Sequence, residues 1–429
     1  MIRRCIIPNH QKTVVIDSFK GLNNVLRPES TSPDYLKEVD NINIDKSGRL
    51  SKRKGYTLED EGNYSALWSN DTYTLCYAVK DGDLIEINSD LSTSLIRANV
   101  GNIDISFEEV NNVVYYTSQS VNGIIENGVN RTWGMETPSL LPTLSASLGG
   151  LKEGSYQVSY TYVDSEGNES GSNVASVISV NNNTGISVGV AVPTDPRVVS
   201  YRVYCSTPNG TVLYFYQEAD IGVDISITNT SLLSSPLKMF NLSPAPLGSI
   251  VKYYRGRLYI SDGETLWFSQ PNQYELFQLD SDYVQLPHEI IELMPVEDGI
   301  WIGSDHLYYL SGVTPESFKL SLKERIEIVS GTASYLSGSY ILLENTPIGY
   351  KWLVTSNLGI FALFNKGVVI NLTATNLSLD RAISGTSVFL QDEGMNQYLS
   401  ILNKSDEANN SVIGDVVTTS VIRNGITIS

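Results

Sequence analysis

The histidines and cysteines of this chain, the residues best suited to proton transfer near neutral pH and to holding zinc, are few and scattered. Its three histidines are His10, His288 and His306. An imidazole suits general acid–base work near neutral pH, but catalysis also needs a nucleophile and an orienting group within hydrogen-bond reach. No serine or cysteine signature accompanies any of the three, and His288 and His306 fall on turns, so they read as structural. Cys5, Cys76 and Cys205 are odd in number and share no metal-ligand spacing, which argues against a disulfide framework and against a zinc site. The run Asn43-Ile44-Asp45-Lys46-Ser47-Gly48 opens like a calcium loop, yet its twelfth position is Lys54, where a bidentate glutamate is needed. Asp164-Ser165-Glu166-Gly167-Asn168-Glu169 could hold a cation weakly and reads first as a polar hairpin turn. The expectation is a non-enzyme with no catalytic residue, cofactor or metal.

Charge is informative where chemistry is not. The 429-residue chain carries a net charge of -18, unevenly spread: residues 1–57 hold eleven Lys/Arg against six Asp/Glu, and the remainder 18 against 41. An acidic body argues against tight nucleic-acid binding, which depends on neutralising phosphates. It suits either a surface past which DNA must slide or plain solubility. The basic cluster Arg49, Lys52, Arg53 and Lys54 could dock an acidic neighbour, touch nucleic acid, or simply be solvated. The start, Met-Ile-Arg-Arg-Cys-Ile-Ile-Pro, has no run long enough for a signal peptide, and no run of about 18 apolar residues exists to span a membrane. This predicts a protein made and kept in a cytoplasm until assembly.

The elements that would position these residues are strands. Tyrosine is abundant at 25 residues, and Val, Ile, Thr and Tyr fit a pleated surface. Residues 1–57 read as an extended arm with a strand near Val14–Ile16 and one short helix, capped by Ser32-Pro33-Asp34 with Leu36 and Val39 inward. Residues 58–137 alternate short apolar runs with turn pairs: Thr74–Val79, Asp81-Gly82, Leu84–Ile87 is one hairpin, and Val113–Thr117 with Gly123–Ile125 a second. Residues 138–246 differ. Tyr156, Val158, Tyr160 and Tyr162, then Ile186, Val188, Val190 and Val192, then Tyr201, Val203 and Cys205 alternate with polar or small residues, as strands with one buried face do. Around seven such strands between proline-rich joints predict an immunoglobulin- or fibronectin-like sandwich. From 247 to 429 the hairpin texture returns, with turns at Asp262-Gly263, Asp298-Gly299, Asp305-His306, Asn357 and Glu393-Gly394. Repeated four-stranded units that cannot bury both faces alone stack radially. The predicted class is therefore all-β: a β-propeller of about six blades, interrupted by an inserted sandwich and preceded by an N-terminal arm. Two separate sandwiches are the alternative.

Two resemblances bear on function. Ser261-Asp262-Gly263-Glu264-Thr265-Leu266-Trp267 resembles the Asp-box turn of sialidases, but serine, aspartate and glycine are contiguous here instead of spaced. A sialidase also clamps a carboxylate with clustered arginines, and only Arg255 and Arg257 lie nearby. A propeller glycosidase is thus the weakest alternative. The arm is more specific. Asp17-Ser18-Phe19-Lys20-Gly21-Leu22-Asn23-Asn24, then Tyr35 to Asn41, then Asp45-Lys46-Ser47-Gly48-Arg49-Leu50-Ser51-Lys52-Arg53-Lys54-Gly55-Tyr56 resembles the start of tail-nozzle (tail tubular protein B-like) structural proteins of short-tailed bacteriophages. In that family proline usually precedes the last glycine, where this chain has Lys54. Tyr253 to Ile260, Leu266 to Ser269 and Met294 to Ile300 extend the likeness. The resemblance implies a virion tail protein: a homo-oligomeric ring, usually six copies, at the far end of the tail tube. It implies contacts with a portal or adaptor ring and with fibres, and a channel that retains and then passes DNA. Phe19, Gly21, Asn23, Arg49, Lys52, Arg53 and Lys54 would form the assembly interface. A receptor- or glycan-binding tail protein, recognising through its sandwich, is the other alternative.

Overall fold

The computed structural model describes residues 15–45, 47–53, 57–336, 351–392, 395–403 and 417–422. Among them the only helical segments are three single 3₁₀ turns, Pro28–Ser30, Pro315–Ser317 and Asn365–Gly367. The chain divides into two units, residues 61–290, and residues 1–60 with 291–429.

The first unit opens with two four-stranded sheets, 64–97 and 106–131, in which every strand pairs with its sequence neighbour. Their hairpins turn on residue pairs with positive φ: Asp81 (52°) with Gly82 (89°), Asn111 (55°) with Asn112 (65°), and Asn127 (52°) with Gly128 (76°). Two left-handed residues in succession give the turn whose twist matches that of paired strands, and Asn, Asp and Gly reach that region at the lowest cost. The strand Val113–Thr117 shows how the sheets stack. Val114 and Tyr116 face the first sheet, meeting its Tyr77 and Val79 beside Phe107 of their own sheet. Tyr115 faces the other way, meeting Val251, Leu258 and Ile260 of a third sheet, 250–285. A strand buried on both faces reads as an unbroken apolar run instead of an alternating one.

Between the second and third sheets lies the sandwich. One layer is three-stranded, in the order Thr143–Leu151, Thr184–Gly189, Ile225–Ile227. The other is four-stranded, in the order Ser176–Val180, Gly154–Asp164, Val198–Ser206, Leu213–Asp220. Tyr156, Val158, Tyr160, Tyr162, Ile186, Val188, Tyr201, Val203 and Cys205 all point into the shared core. Burial pushes the Cys205 thiol up to about 12, as expected for an inert core cysteine.

In the second unit, sheets 292–324 and 334–371 repeat the four-stranded meander, and Ser384–Asp392, Met395–Asn403 and Val417–Ile422 form a three-stranded one. Trp301 and Tyr309 of the first pack on Val354, Phe361 and Leu363 of the second. The opposite face of the second, with Leu353, Ile360 and Ala362, meets Tyr398 of the third. Sequential meanders stacked face to face are propeller blades, whereas the sandwich between them has the non-sequential strand order that two facing layers require. The class is a β-propeller with an inserted sandwich and an extended N-terminal arm.

Three local expectations fail. No α-helix follows Ser32. Residues 34–36 instead pair in an extended manner with residues 20–23: the Lys20 N–H donates to the Asp34 carbonyl (2.8 Å), Leu36 to Gly21 (2.9 Å) and Asn23 to Leu36 (2.8 Å). Those bonds use the groups that a helical turn would need. Of the strand expected at Val14–Ile16, Val14 lies outside the described residues, while Val15 and Ile16 join no sheet and are exposed. The strand through Ile186 and Val188 stops at Gly189, so Val192 is 79% exposed and not inward.

Candidate assembly surface

The arm is held to its own unit by three consecutive residues. Gly21 sits at φ 114°, outside the range open to residues with a side chain, and Leu22 bridges in parallel to Leu36. Leu22 also packs against the core around Leu377 and Tyr398. Asn23 is 2% exposed. Its Nδ2 donates to the Thr375 carbonyl (3.3 Å) and to Asn376 Oδ1 (3.4 Å), while its Oδ1 accepts from the Leu26 N–H (3.1 Å). Asn24 forms a reciprocal pair with Ser378, donating Nδ2 to its carbonyl and accepting its N–H, both at 2.8 Å.

Beyond this anchor the arm makes a two-stranded hairpin, Ile42–Ile44 with Leu50–Lys52. Asp45 builds the turn: its Oδ1 accepts from the Ser47 N–H (2.7 Å), the Ser47 hydroxyl (2.6 Å) and the Arg49 N–H (3.0 Å). The Ser47 hydroxyl and then the Arg49 N–H hold the Asp45 carboxyl below its ordinary range. Gly48 is obligatory, since at φ +84° an added Cβ would lie 2.5 Å from Ser18 Cβ and 2.9 Å from the Phe19 nitrogen. The Phe19 N–H donates to the Gly48 carbonyl (2.9 Å), clamping the hairpin to the anchor. Arg49, Leu50, Ser51 and Lys52 are exposed, and Arg53 donates its N–H to the Asn41 carbonyl (3.1 Å).

The expected interface residues therefore divide into two groups. Gly21 and Asn23, with Phe19 through its backbone, work inside the chain. Arg49 and Lys52 face outward, Arg53 is half-buried, and Lys54 lies outside the described residues, as does His10. Leu22 and Asn24, which the sequence reading did not single out, complete the anchor. The other motifs resolve as local structure. Ser261 to Thr265 is the hairpin between Arg257–Asp262 and Thr265–Gln270. Arg257 donates to the Ser269 carbonyl (2.5 Å) and lies 5.3 Å over the Phe268 ring. Asp164 folds its own turn by accepting the N–H groups of Glu166 and Asn168, both at 2.9 Å. Among the described residues no group of three or more His, Cys, Asp or Glu is placed to hold a metal ion.

A second polar cluster fixes the sandwich to the second blade. Arg197 Nη2 donates to the Gly134 carbonyl and to Thr132 Oγ1, each at 2.7 Å, and pairs with Asp195 at 2.7 Å. Glu136 accepts from the Thr194 N–H and hydroxyl (2.5 Å each) and from the Asp195 N–H (3.1 Å). Burial works to raise both carboxyls. It is outweighed by Thr194 and Asp195 at Glu136, and by Arg197 at Asp195, so both end below their ordinary range. A depressed folded pKa contributes stability that is present above the unfolded value and lost as pH falls through the folded one. Amide exchange at 132–137 and 194–197, corrected for intrinsic rate, should therefore stay protected at neutral pH. It should quicken as pH drops below about 4, the ordinary carboxylate range. Uniform protection down through that range would show that the clasp does not hold the joint.

What these features define is a propeller-class protein with an anchored N-terminal arm that exposes the basic residues Arg49 and Lys52. No family model and no curated protein sequence matches the chain. Among solved structures it is similar to U3-55K (9% identity, 86% of this chain and 96% of that one, TM-score 0.34). It is also similar to BBS1N in complex with ARL6DN (12% identity, 80% and 92%, TM-score 0.33). A third is Hsv2 of Kluyveromyces lactis (8% identity, 80% and 91%, TM-score 0.28). Scores at this level carry nothing about function.

Proposed function

We propose that this chain is a structural, non-enzymatic subunit of a bacteriophage tail. Copies of it would form a ring at the distal end of the tail tube that retains and then passes DNA, and the arm would dock to an adjoining portal, adaptor or fibre protein. The observation that supports this most is the division of labour within the arm. Leu22 to Asn24 bind it to the last blades, and that anchor presents a short hairpin whose exposed residues include the basic Arg49 and Lys52, on a protein that is otherwise strongly acidic. Such a hairpin is well suited to an acidic neighbour, because complementary charge steers and orients docking. The acidic body suits a path for DNA, since attraction to a phosphate backbone bearing about one charge per 1.7 Å would hinder passage. The alternative of glycan recognition by the sandwich is less supported. Of its tyrosines, Tyr156, Tyr160, Tyr162, Tyr201, Tyr204 and Tyr216 are buried in its own structure and only Tyr214 is half-buried, which leaves little of them as a stacking surface.

The test is charge reversal at the hairpin. Arg49→Glu with Lys52→Glu should leave the melting temperature unchanged, because both side chains are exposed and surface changes rarely exceed about 0.5 kcal/mol. Incorporation into particles should fall at least tenfold, the scale of about 1.4 kcal/mol of lost docking energy. Incorporation at the wild-type level would remove the arm from the docking role and the reading's main support with it.

A further inference from the structure

The two outer faces of the sandwich differ in charge. On the four-stranded layer Arg202 bridges Glu169 (3.0 Å) and Glu218 (2.8 Å), and Thr161 and Tyr204 donate hydroxyls to the same Glu169. The three-stranded layer has nothing comparable. Segments 137–151, 170–194 and 225–237 contain no Asp, Glu, Lys, Arg or His, in a chain that is 18% charged. They supply all three strands of that layer and the edge strand Ser176–Val180 of the other. Pairing sets the pattern. Leu144, Val188 and Ile225 align across the layer and face the core, so the adjoining row Ser145, Ser187 and Ser226 faces out.

The charge-free segments also expose apolar side chains. Two of the charge-free segments, 137–151 and 170–194, meet at one end of the sandwich. Asn173 Nδ2 donates to the Pro138 carbonyl (3.2 Å), and Ser176 Oγ to that of Pro142 (2.8 Å). The Tyr160 hydroxyl donates to the Leu140 carbonyl (3.0 Å) and accepts from the Ala191 N–H (3.3 Å). Around these bonds Leu140, Val174 and Val192 are 64%, 53% and 79% exposed, and Leu148, at the far end of the strand, is 93% exposed. The core of an interface is depleted of charged residues.

We infer that this side of the sandwich is where a second copy of the chain docks. The occupant follows from charge. Each copy carries -18, so most pairings of two copies set like charge against like or bury an ionised group. The charge-free side lets two acidic copies meet without either cost. The inference rests on the ring reading above for the presence of neighbouring copies, and adds the surface they share.

The experiment measures self-association of the full chain by sedimentation velocity across a concentration series. The wild type is compared with Ser145→Glu/Ser187→Glu, and with Ser165→Glu as a control in the polar turn after Gly154–Asp164. The paired glutamates should weaken association at least tenfold, while the control behaves as wild type. If the double variant does not fold, Ser226→Lys in the neighbouring strand carries the same expectation. Wild-type association in a folded face variant overturns the inference and leaves the ring reading standing, since the copies then meet elsewhere. A wild type that stays monomeric up to ~100 µM, which is less than about 5.5 kcal/mol of association energy, overturns both.

Discussion

Replacing Trp301 with alanine should lower the unfolding free energy by about 3–5 kcal/mol, the range for truncating a large aromatic in a packed core. Trp301 is fully buried and packs 4.8 Å from Tyr309 between the two blades of 292–371. Its indole N–H donates to the Phe364 carbonyl at 2.9 Å, in the neighbouring blade. The substitution thus opens a cavity and also removes the hydrogen bond to that carbonyl. Trp301→Phe separates the two effects: it keeps most of the ring but not the donor, and should cost about 1–3 kcal/mol. Urea unfolding gives both values. A loss below about 1 kcal/mol for the alanine variant would mean that these blades are not packed face to face as described.

Leu22→Ala with Asn23→Ala should cost about 3 kcal/mol, combining a half-buried leucine with an amide whose partners are left unpaired. Leu22 packs against the last blades, and Asn23 satisfies the Thr375 carbonyl and the Leu26 N–H. This changes how the arm should be tested. A segment read from sequence as an extended arm over residues 1–57 is partly a core element, so deleting it should unsettle the blades as well as remove the hairpin. The anchor variant should lose stability, whereas the charge-reversed hairpin should lose only assembly. If the anchor variant melts with the wild type, the arm is not bound to its own unit as the hydrogen bonds require.

What was legible from the residues themselves was whatever short-range physics decides. Period-two alternation in Tyr156 to Tyr162 and in Tyr201 to Cys205 marked half-buried strands, because successive side chains of a strand point to opposite faces. Turn pairs such as Asp81-Gly82 announced hairpins, because few residues tolerate a left-handed backbone. Repetition of the same hairpin unit announced blades, because one such unit cannot bury both of its faces. The helix expected after Ser32 shows the limit. Its capping residues were in place, but cap chemistry contributes only about 1 kcal/mol, and pairing with residues 20–23 prevailed.

The tertiary structure alone decided which residues of the arm face inward. Asn23 and Asn24 meet Thr375 to Ser378, some 350 positions away, and no local pattern signals a partner at that distance. The same holds for the outward serine row of the sandwich. The sequence contains the charge-free segments, but only strand pairing aligns Ser145, Ser187 and Ser226 on one face. Local residue chemistry determines which strands and turns form. Contact between distant segments, set by packing and register, determines which of their faces are left for a partner.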